Sequence, residues 1–225
     1  MGPAHCRNMK VRPGPSNHAA LTLVEVLVII AVVAVLVIMF IPTHPRIRKN
    51  NRINCINNLK QVGLAYRIWA LDHGDKYPFE VFVTIGGTKE LTIGDNAWRN
   101  CLVISNELST PLILLCPEDK THIPAATNFS AQMIGHISYL VGLDATEEKP
   151  QTILSGDANF EMSGMPVKSG LLELTSNSPV AWDGKRHGLG GNIALADGSV
   201  HSISNSELAG ERQRTGLATN HFAIP

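Results

Sequence analysis

The 225-residue sequence predicts an α+β fold in which a long N-terminal helix packs on an antiparallel β-sheet head, and three stretches predict it. Residues 21–41, LTLVEVLVIIAVVAVLVIMFI, form an apolar run of 21 residues with one ionisable group, Glu25. In residues 53–72, Ile56, Leu59, Val62, Tyr66 and Trp69 fall at three- and four-residue steps, and Ile53 extends the stripe upstream. That is the period of a helix with one buried face. In residues 192–203, two runs flank Asp197-Gly198. This pair is the preferred two-residue type I′ hairpin turn, since both central positions need φ above zero. No strand-like run is followed by a long amphipathic helix, which argues against a parallel doubly wound sheet.

The apolar run comes first in the chain. At roughly 1.5 Å rise per residue such a helix is about 31 Å long, which matches a bilayer core. It is apolar all round, unlike the one-sided core helix of a soluble protein. A carboxylate in hydrocarbon costs several kcal/mol unless neutralised or paired, so Glu25 reads as functional. Residues 1–20 hold Arg7, Lys10 and Arg12 with no acid, a balance of +3, and end in Ser16, Asn17, His18, Ala19 and Ala20. The order of parts is wrong for a secretory signal peptide, whose small-residue cleavage site follows the apolar run. Here Pro42, Thr43, His44 and Pro45 follow it.

Ala20-Leu21-Thr22-Leu23-Val24-Glu25 followed by the apolar run resembles the prepilin processing motif of type IV pilins and type II secretion pseudopilins. The family usually has Gly before the cut and Phe after it. Ala20 and Leu21 keep a small residue before and a large apolar one after, and Thr22, Leu23, Val24 and Glu25 match fully. The resemblance implies cleavage by a prepilin peptidase after Ala20, N-methylation, and assembly with other pilin or pseudopilin subunits in the inner membrane. The new α-amino group of Leu21 would be a cation four residues before Glu25. Neutralising Glu25 with the Leu21 amine of a neighbouring subunit would remove the burial penalty only in an assembly. The competing reading is a plain signal anchor with a tolerated Glu.

Charge divides the chain further. Residues 42–71 carry Arg46, Arg48, Lys49, Arg52, Lys60 and Arg67 with no acid, a balance of +6. From His73 onward 10 Lys/Arg face 17 Asp/Glu, a balance of −7. The basic stem suits anionic headgroups of the inner-membrane lipid or the acidic heads of neighbours, or it is a solvated helix face. It also outweighs the leader in a positive-inside count, so an extracytoplasmic, periplasmic head rests on the resemblance. An acidic head opposes nucleic-acid binding. The expected domains are a leader at 1–20, a transmembrane helix at 21–41, an amphipathic stem at 42–72 and the head at 73–225.

Pro42 and Pro45 bend or break the helix beyond the apolar run, Pro42 being the expected kink, and the helix then resumes as the stem. His73-Gly74 ends it, with Gly74 as C-cap. Short strands are expected at 81–85, 112–116, 136–141, 152–154 and 179–182, with a turn at Gly86-Gly87. Residues 96–107 read as helical. Ser204 and Glu207 form a capping box for a short C-terminal helix ending near Gly216. Cys6 lies in the leader, and Cys55, Cys101 and Cys116 remain. None sits in a CxxC pair, so a zinc site is not indicated. One disulfide, Cys101 with Cys116 as the first choice, and a set of buried free thiols both stay open.

Residues 55–65, CINNLKQVGLA, resemble the stem of pilin-like proteins abundant in Planctomycetes and Verrucomicrobia, many of which carry His, nine residues, then Asp-Gly. His187, Asp197 and Gly198 have that spacing. Asp197 already has a structural reason as a turn residue, and His187 lies in a polar loop where it more often bonds backbone. A catalytic or metal role for His187, Asp183 and Asp197 therefore ranks behind a structural one, and no enzyme activity or cofactor is expected. Pseudopilin heads can bind calcium, and Asp144, Asp157 and Asp183 are the loop acids available for it. No Walker motif, GxGxxG, GxSxG or HExxH occurs. The expected function is a structural subunit of a type II secretion pseudopilus or type IV-like pilus. The alternative is a membrane-anchored pilin-like protein whose head captures a polysaccharide or a secreted protein.

Overall fold

The apolar run forms helix α1, Leu23–Phe40, 18 residues long. The computed structural model describes residues 22–40, 47–91, 96–122 and 124–225. The leader, Ala20, Leu21, Ile41, Pro42 and Pro45 lie outside the described residues. The chain divides into two compact units, Met1–His44 and Pro45–Pro225. Every described side chain from Thr22 to Ile38 is exposed. Among the described residues, no helix is long and apolar enough to cross a membrane. The two expected halves, 21–41 and 42–72, are each described as a helix, and the expected bend or break at Pro42 and Pro45 lies outside the described residues.

The second unit begins with α2, Ile47–Leu71. Its buried face is Cys55, Leu59, Val62, Ala65, Tyr66, Trp69 and Ala70. The sequence stripe holds from Leu59 to Trp69, but Ile53 is exposed: from Cys55 the buried face is followed four residues on by Leu59, and Ile53 falls off it. Each large side chain on this face contributes about 1.5–3 kcal/mol by leaving water, so Leu59→Ala would cost about 2–5 kcal/mol. At the end of α2 the His73 ring stacks on Trp69 with centroids 3.5 Å apart. The chain then leaves the helix through Gly74 at φ 68°, the expected cap.

Beyond α2 the chain forms short helical turns before any strand. Residues 83–85 are a 3-10 turn closed by Gly86, so the strand expected at 81–85 is absent. The helix expected at 96–107 is present as α3, Ala97–Val103, and α4, Ser105–Leu108. The apolar run at 112–116, expected as a strand, instead starts with a 3-10 helix, Pro111–Leu114. Pro111 supplies a preset φ at its first position, and the Thr110 hydroxyl accepts from the Leu112 amide at 3.4 Å.

Among the described residues nine strands follow: β1 Tyr139–Gly142, β2 Ile153–Asp157, β3 Phe160–Met162, β4 Met165–Pro166, β5 Gly170–Thr175, β6 Val180–Trp182, β7 Gly190–Leu195, β8 Val200–Ser204 and β9 Thr219–Ile224. Helix α5, Asn205–Arg214, lies between β8 and β9. Six strands make one sheet in the order β5-β9-β1-β2-β7-β8, and three make a second, β4-β3-β6. Every pairing is antiparallel, which establishes the α+β class with an antiparallel sheet. Strands β1, β2 and β7 are buried at every position because the large sheet is covered on both faces. Val141 and Leu154 join Val62, Tyr66 and Trp69 of α2, while Leu140, Ile153 and Ile193 join Trp182, Leu208 and Phe222 on the other side. Gly191 belongs to that second contact: a Cβ there would lie 2.3 Å from the Trp182 ring.

The Asp197-Gly198 hairpin exists, with a different turn. Ala194 pairs with Val200, the Leu195 amide donates to the Ser199 carbonyl at 2.9 Å, and Gly198 donates back to Leu195 at 3.0 Å. Only Gly198 has positive φ, 86°. The loop is therefore Ala196-Asp197-Gly198, a three-residue turn with Gly in the left-handed bulge position rather than type I′. The Ser204–Glu207 capping box forms as expected, with the Ser204 amide donating to Glu207 Oε2 at 2.8 Å.

Candidate functional site

The densest buried polar chemistry lies where the end of β2, the start of β7 and the loop at 183–189 meet the first half of α2. Cys55 on α2 is bonded to Cys116, which follows the Pro111–Leu114 turn. Both are fully buried, and Cys101 is a buried free thiol. The pairing thus resolves to Cys55–Cys116, not Cys101–Cys116. Cys101 lies in the core under α2, with Tyr66 and Trp98 in the same cluster, and burial pushes its thiol up to about 12.

His187 faces this disulfide. Its Nε2 lies 3.3 Å from Cys116 Sγ and 3.6 Å from Asp157 Oδ2, and its side chain is 1% exposed. Asp157, expected as a loop acid, is the last residue of β2 and fully buried. Its Oδ2 accepts from the Asn192 amide at 2.7 Å and the Asn192 Nδ2 at 2.9 Å. Its Oδ1 has no hydrogen-bond partner among the described residues. Burial raises the Asp157 carboxyl and lowers the His187 imidazole, so each is driven toward its neutral form.

A second carboxylate ties the loops around the cluster. Asp119 Oδ2 accepts from Arg186 Nη2 at 2.5 Å and from the Ser138 hydroxyl at 2.7 Å, and lies 2.7 Å from His122 Nδ1. Its Oδ1 accepts from the Thr121 amide and hydroxyl. Burial alone would raise this carboxyl, but the His122 contact, the Arg186 charge and the two hydroxyls outweigh it and hold it well below the ordinary carboxylate range. Arg186 Nη1 also donates to the Ser138 carbonyl at 2.8 Å, clamping the 183–189 loop to the start of β1.

Beside this cluster and sharing Arg186 and His187 with it, a cavity of about 430 Å³ is also lined by Arg52, Glu118 and Lys185 with Gly184 and Gly188. Arg52 Nε is buried without a hydrogen-bond partner among the described residues. The cavity's charged lining, Arg52 and Lys185 with Glu118, suits a charged group.

The residues singled out from the sequence are dispersed. His187 sits by Arg52, whereas the Asp197 carbonyl accepts from Arg67 Nη1 at 3.0 Å. Those two arginines are about 22 Å apart along α2. His187 and Asp197 are thus not an acid–base pair, and Asp197 holds the hairpin through Ser199. Asp183 accepts from Asn159 Nδ2 at 2.6 Å and pairs with Lys185, and Asp144 accepts from the His221 amide at 2.6 Å. Asp144, Asp157 and Asp183 keep separate partners and do not converge on one point. The cluster of metal-ligating type among the described residues is Cys55, Cys116 and His187. Asn192, Asp119 and Arg186 were not legible as site residues, and Asp157 was legible only as a candidate calcium ligand in a loop. The one signal was an acid at the end of an apolar strand run, which is out of place unless paired.

Glu25 also gains a local partner. Its Oε2 accepts from the Thr22 amide at 2.8 Å and hydroxyl at 2.9 Å, and its amide donates to Thr22 Oγ1 at 3.3 Å. That is a reciprocal capping box at the start of α1. No family model matches the chain, and comparison with curated proteins and with solved structures yields no match.

Proposed function

We propose that the protein is a pilin-like structural subunit, cut by a prepilin peptidase between Ala20 and Leu21. Residues 21–41 hold it in the inner membrane with its head on the periplasmic side. It stacks with other pilin or pseudopilin subunits into a type II secretion pseudopilus or a type IV-like pilus. The observation that carries this reading is the state of α1. Its described residues are apolar and exposed, with Glu25 as the one ionisable group. An apolar ridge left in water costs about 25 cal/mol per Å², which lipid or a neighbouring helix removes. The outer side of α2 adds a second unpartnered stripe, Leu64, Ile68 and Leu71, all exposed.

The test is Glu25→Leu. The variant is expected to stay in the membrane fraction and to be missing from sheared fibres or crosslinked assemblies. Normal assembly of the variant would refute the role given to Glu25.

A second reading, a membrane-anchored binding protein, is favoured by the cavity at Arg52, Lys185 and His187. The Arg52 guanidinium and the Lys185 amine that line it suit an anionic group such as a uronate or sulfate of a polysaccharide. Binding of an acidic polysaccharide by the wild type, abolished in Arg52→Ala, favours it; absence of wild-type binding removes it.

A further inference from the structure

We propose that Cys55, Cys116, His187 and Asp157 form a tetrahedral site for a thiophilic divalent cation, Zn²⁺ in the first instance, whenever the two cysteines are thiols. The disulfide and the metal site are alternative states of the same four side chains.

The geometry argues for this. Tetrahedral zinc with bonds of about 2.3 Å to sulfur and about 2.0–2.2 Å to nitrogen and oxygen sets ligand–ligand edges of about 3.4–3.8 Å. The His187 Nε2 to Cys116 Sγ edge is 3.3 Å and the Nε2 to Asp157 Oδ2 edge is 3.6 Å. The ligand atoms of Cys55, Cys116 and His187 all lie within 4.8 Å of one another. One ring nitrogen of His187 therefore faces both a sulfur and a carboxylate. Asp157 Oδ2 approaches the same ring nitrogen that faces Cys116, so it does not orient the imidazole from behind through Nδ1; it is the carboxylate beside the Cys55, Cys116 and His187 group and the candidate for a fourth ligand. Two cysteines, one histidine and one carboxylate are a donor set that zinc accepts and that calcium or magnesium does not.

The surroundings fit. Asp157 is fully buried and its Oδ1 has no hydrogen-bond partner among the described residues, an expensive arrangement for a carboxylate. Asn192 already holds Oδ2 through two N–H groups, the support that a ligating carboxylate usually has from its neighbours. The four residues come from α2, the segment after the Pro111–Leu114 turn, β2 and the 183–189 loop. A bound ion would thus tie together the same elements that the disulfide ties.

The chemistry balances simply. The newly made chain carries Cys55 and Cys116 as thiols. Zn²⁺ binds them as thiolates and releases two protons to water. In an oxidising compartment, exchange with an external disulfide forms the Cys55–Cys116 bond. That external disulfide is reduced to two thiols, and the metal leaves.

The experiment uses the full chain in detergent, with Co²⁺ as the spectroscopic probe and Zn²⁺ as competitor. The chain reduced with a phosphine under anaerobic conditions is expected to bind one Co²⁺. It should show the intense visible bands of a tetrahedral site and a thiolate charge-transfer band, both erased by one equivalent of Zn²⁺. The oxidised chain, with the same fold, is expected to bind none. Cys101→Ser is expected to keep the signal, His187→Ala to lose it, and Asp157→Asn to weaken Zn²⁺ by at least about tenfold. Circular dichroism with Zn²⁺ present accompanies each sample. The proposal fails if the reduced wild type binds no Co²⁺, unfolds despite Zn²⁺, or binds equally well when oxidised. It also fails if His187→Ala leaves the spectrum unchanged or Cys101→Ser removes it.

Discussion

Thr22 and Glu25 close the first turn of α1 on each other, with Glu25 Oε2 accepting from both the amide and the hydroxyl of Thr22. The carboxylate therefore has a use within one chain before any neighbour arrives. Capping and assembly can be separated experimentally. Thr22→Val removes the hydroxyl and is expected to fray the start of α1 while leaving fibre incorporation intact, because Glu25 keeps its charge. Glu25→Leu is expected to block incorporation. Equal loss of assembly in both variants would show that the cap, not the charge, is what assembly needs.

The Cys55–Cys116 bond closes a loop with a sequence separation of 61. On the chain-entropy account, a loop of that size stabilises the folded chain by about 4 kcal/mol. Urea unfolding in chelator, with and without reductant, is expected to show a loss of that order. Non-reducing peptide mapping should find Cys55 joined to Cys116. Cys101, buried and with its thiol pushed up to about 12, should label with iodoacetamide only after unfolding. Rapid labelling of Cys101 in the native protein would contradict its placement.

How far the fold could be read from the sequence depended on how local each signal was. The buried side of α2 was legible because Leu59, Val62, Tyr66 and Trp69 repeat at a helical period over several turns. The capping box of α5 needed only Ser204 and Glu207. The segment Leu112-Ile113-Leu114-Leu115-Cys116 misled because a five-residue apolar run has no period of its own, and Pro111 decided for a 3-10 turn. Strand β9 was missed although it sits between β1 and β5. Its Thr219-Asn220-His221 start is too polar to read as buried. Strand β5, buried at Gly170, Leu172 and Leu174, does carry a two-residue alternation in the sequence. The cluster around Asp157 was not legible as one site, although Asp157 and His187 were each singled out. Its members Cys55, Cys116, Asp157 and His187 are spread over more than half the chain, and only the antiparallel topology brings them together.

Asp119 makes stability depend on acid. Its folded-state carboxyl is held below the ordinary range, so its contribution is fully present above the unfolded value of about 3.9 and is lost as pH falls below that. Wild-type unfolding free energy is expected to drop with pH below about 4, and Asp119→Asn should remove part of that slope. At neutral pH, Arg186→Leu leaves Asp119 buried without its cation and should cost about 3–5 kcal/mol. An unchanged acid slope in Asp119→Asn would contradict this.

The outer stripe of α2 gives a test of assembly outside α1. Leu64 and Ile68 are exposed one turn apart and contribute nothing to the buried core. Ile68→Glu is expected to leave the thermal midpoint of the head within a few degrees of wild type, as surface changes usually do, and to reduce fibre incorporation. A variant that assembles normally would remove this stripe from the interface.

The subunit reading is tested most directly by the mass of the mature chain recovered from membranes. It predicts an N-terminus at Leu21, carrying one added methyl group on the α-amine. Recovery of a chain that retains residues 1–20 would contradict it.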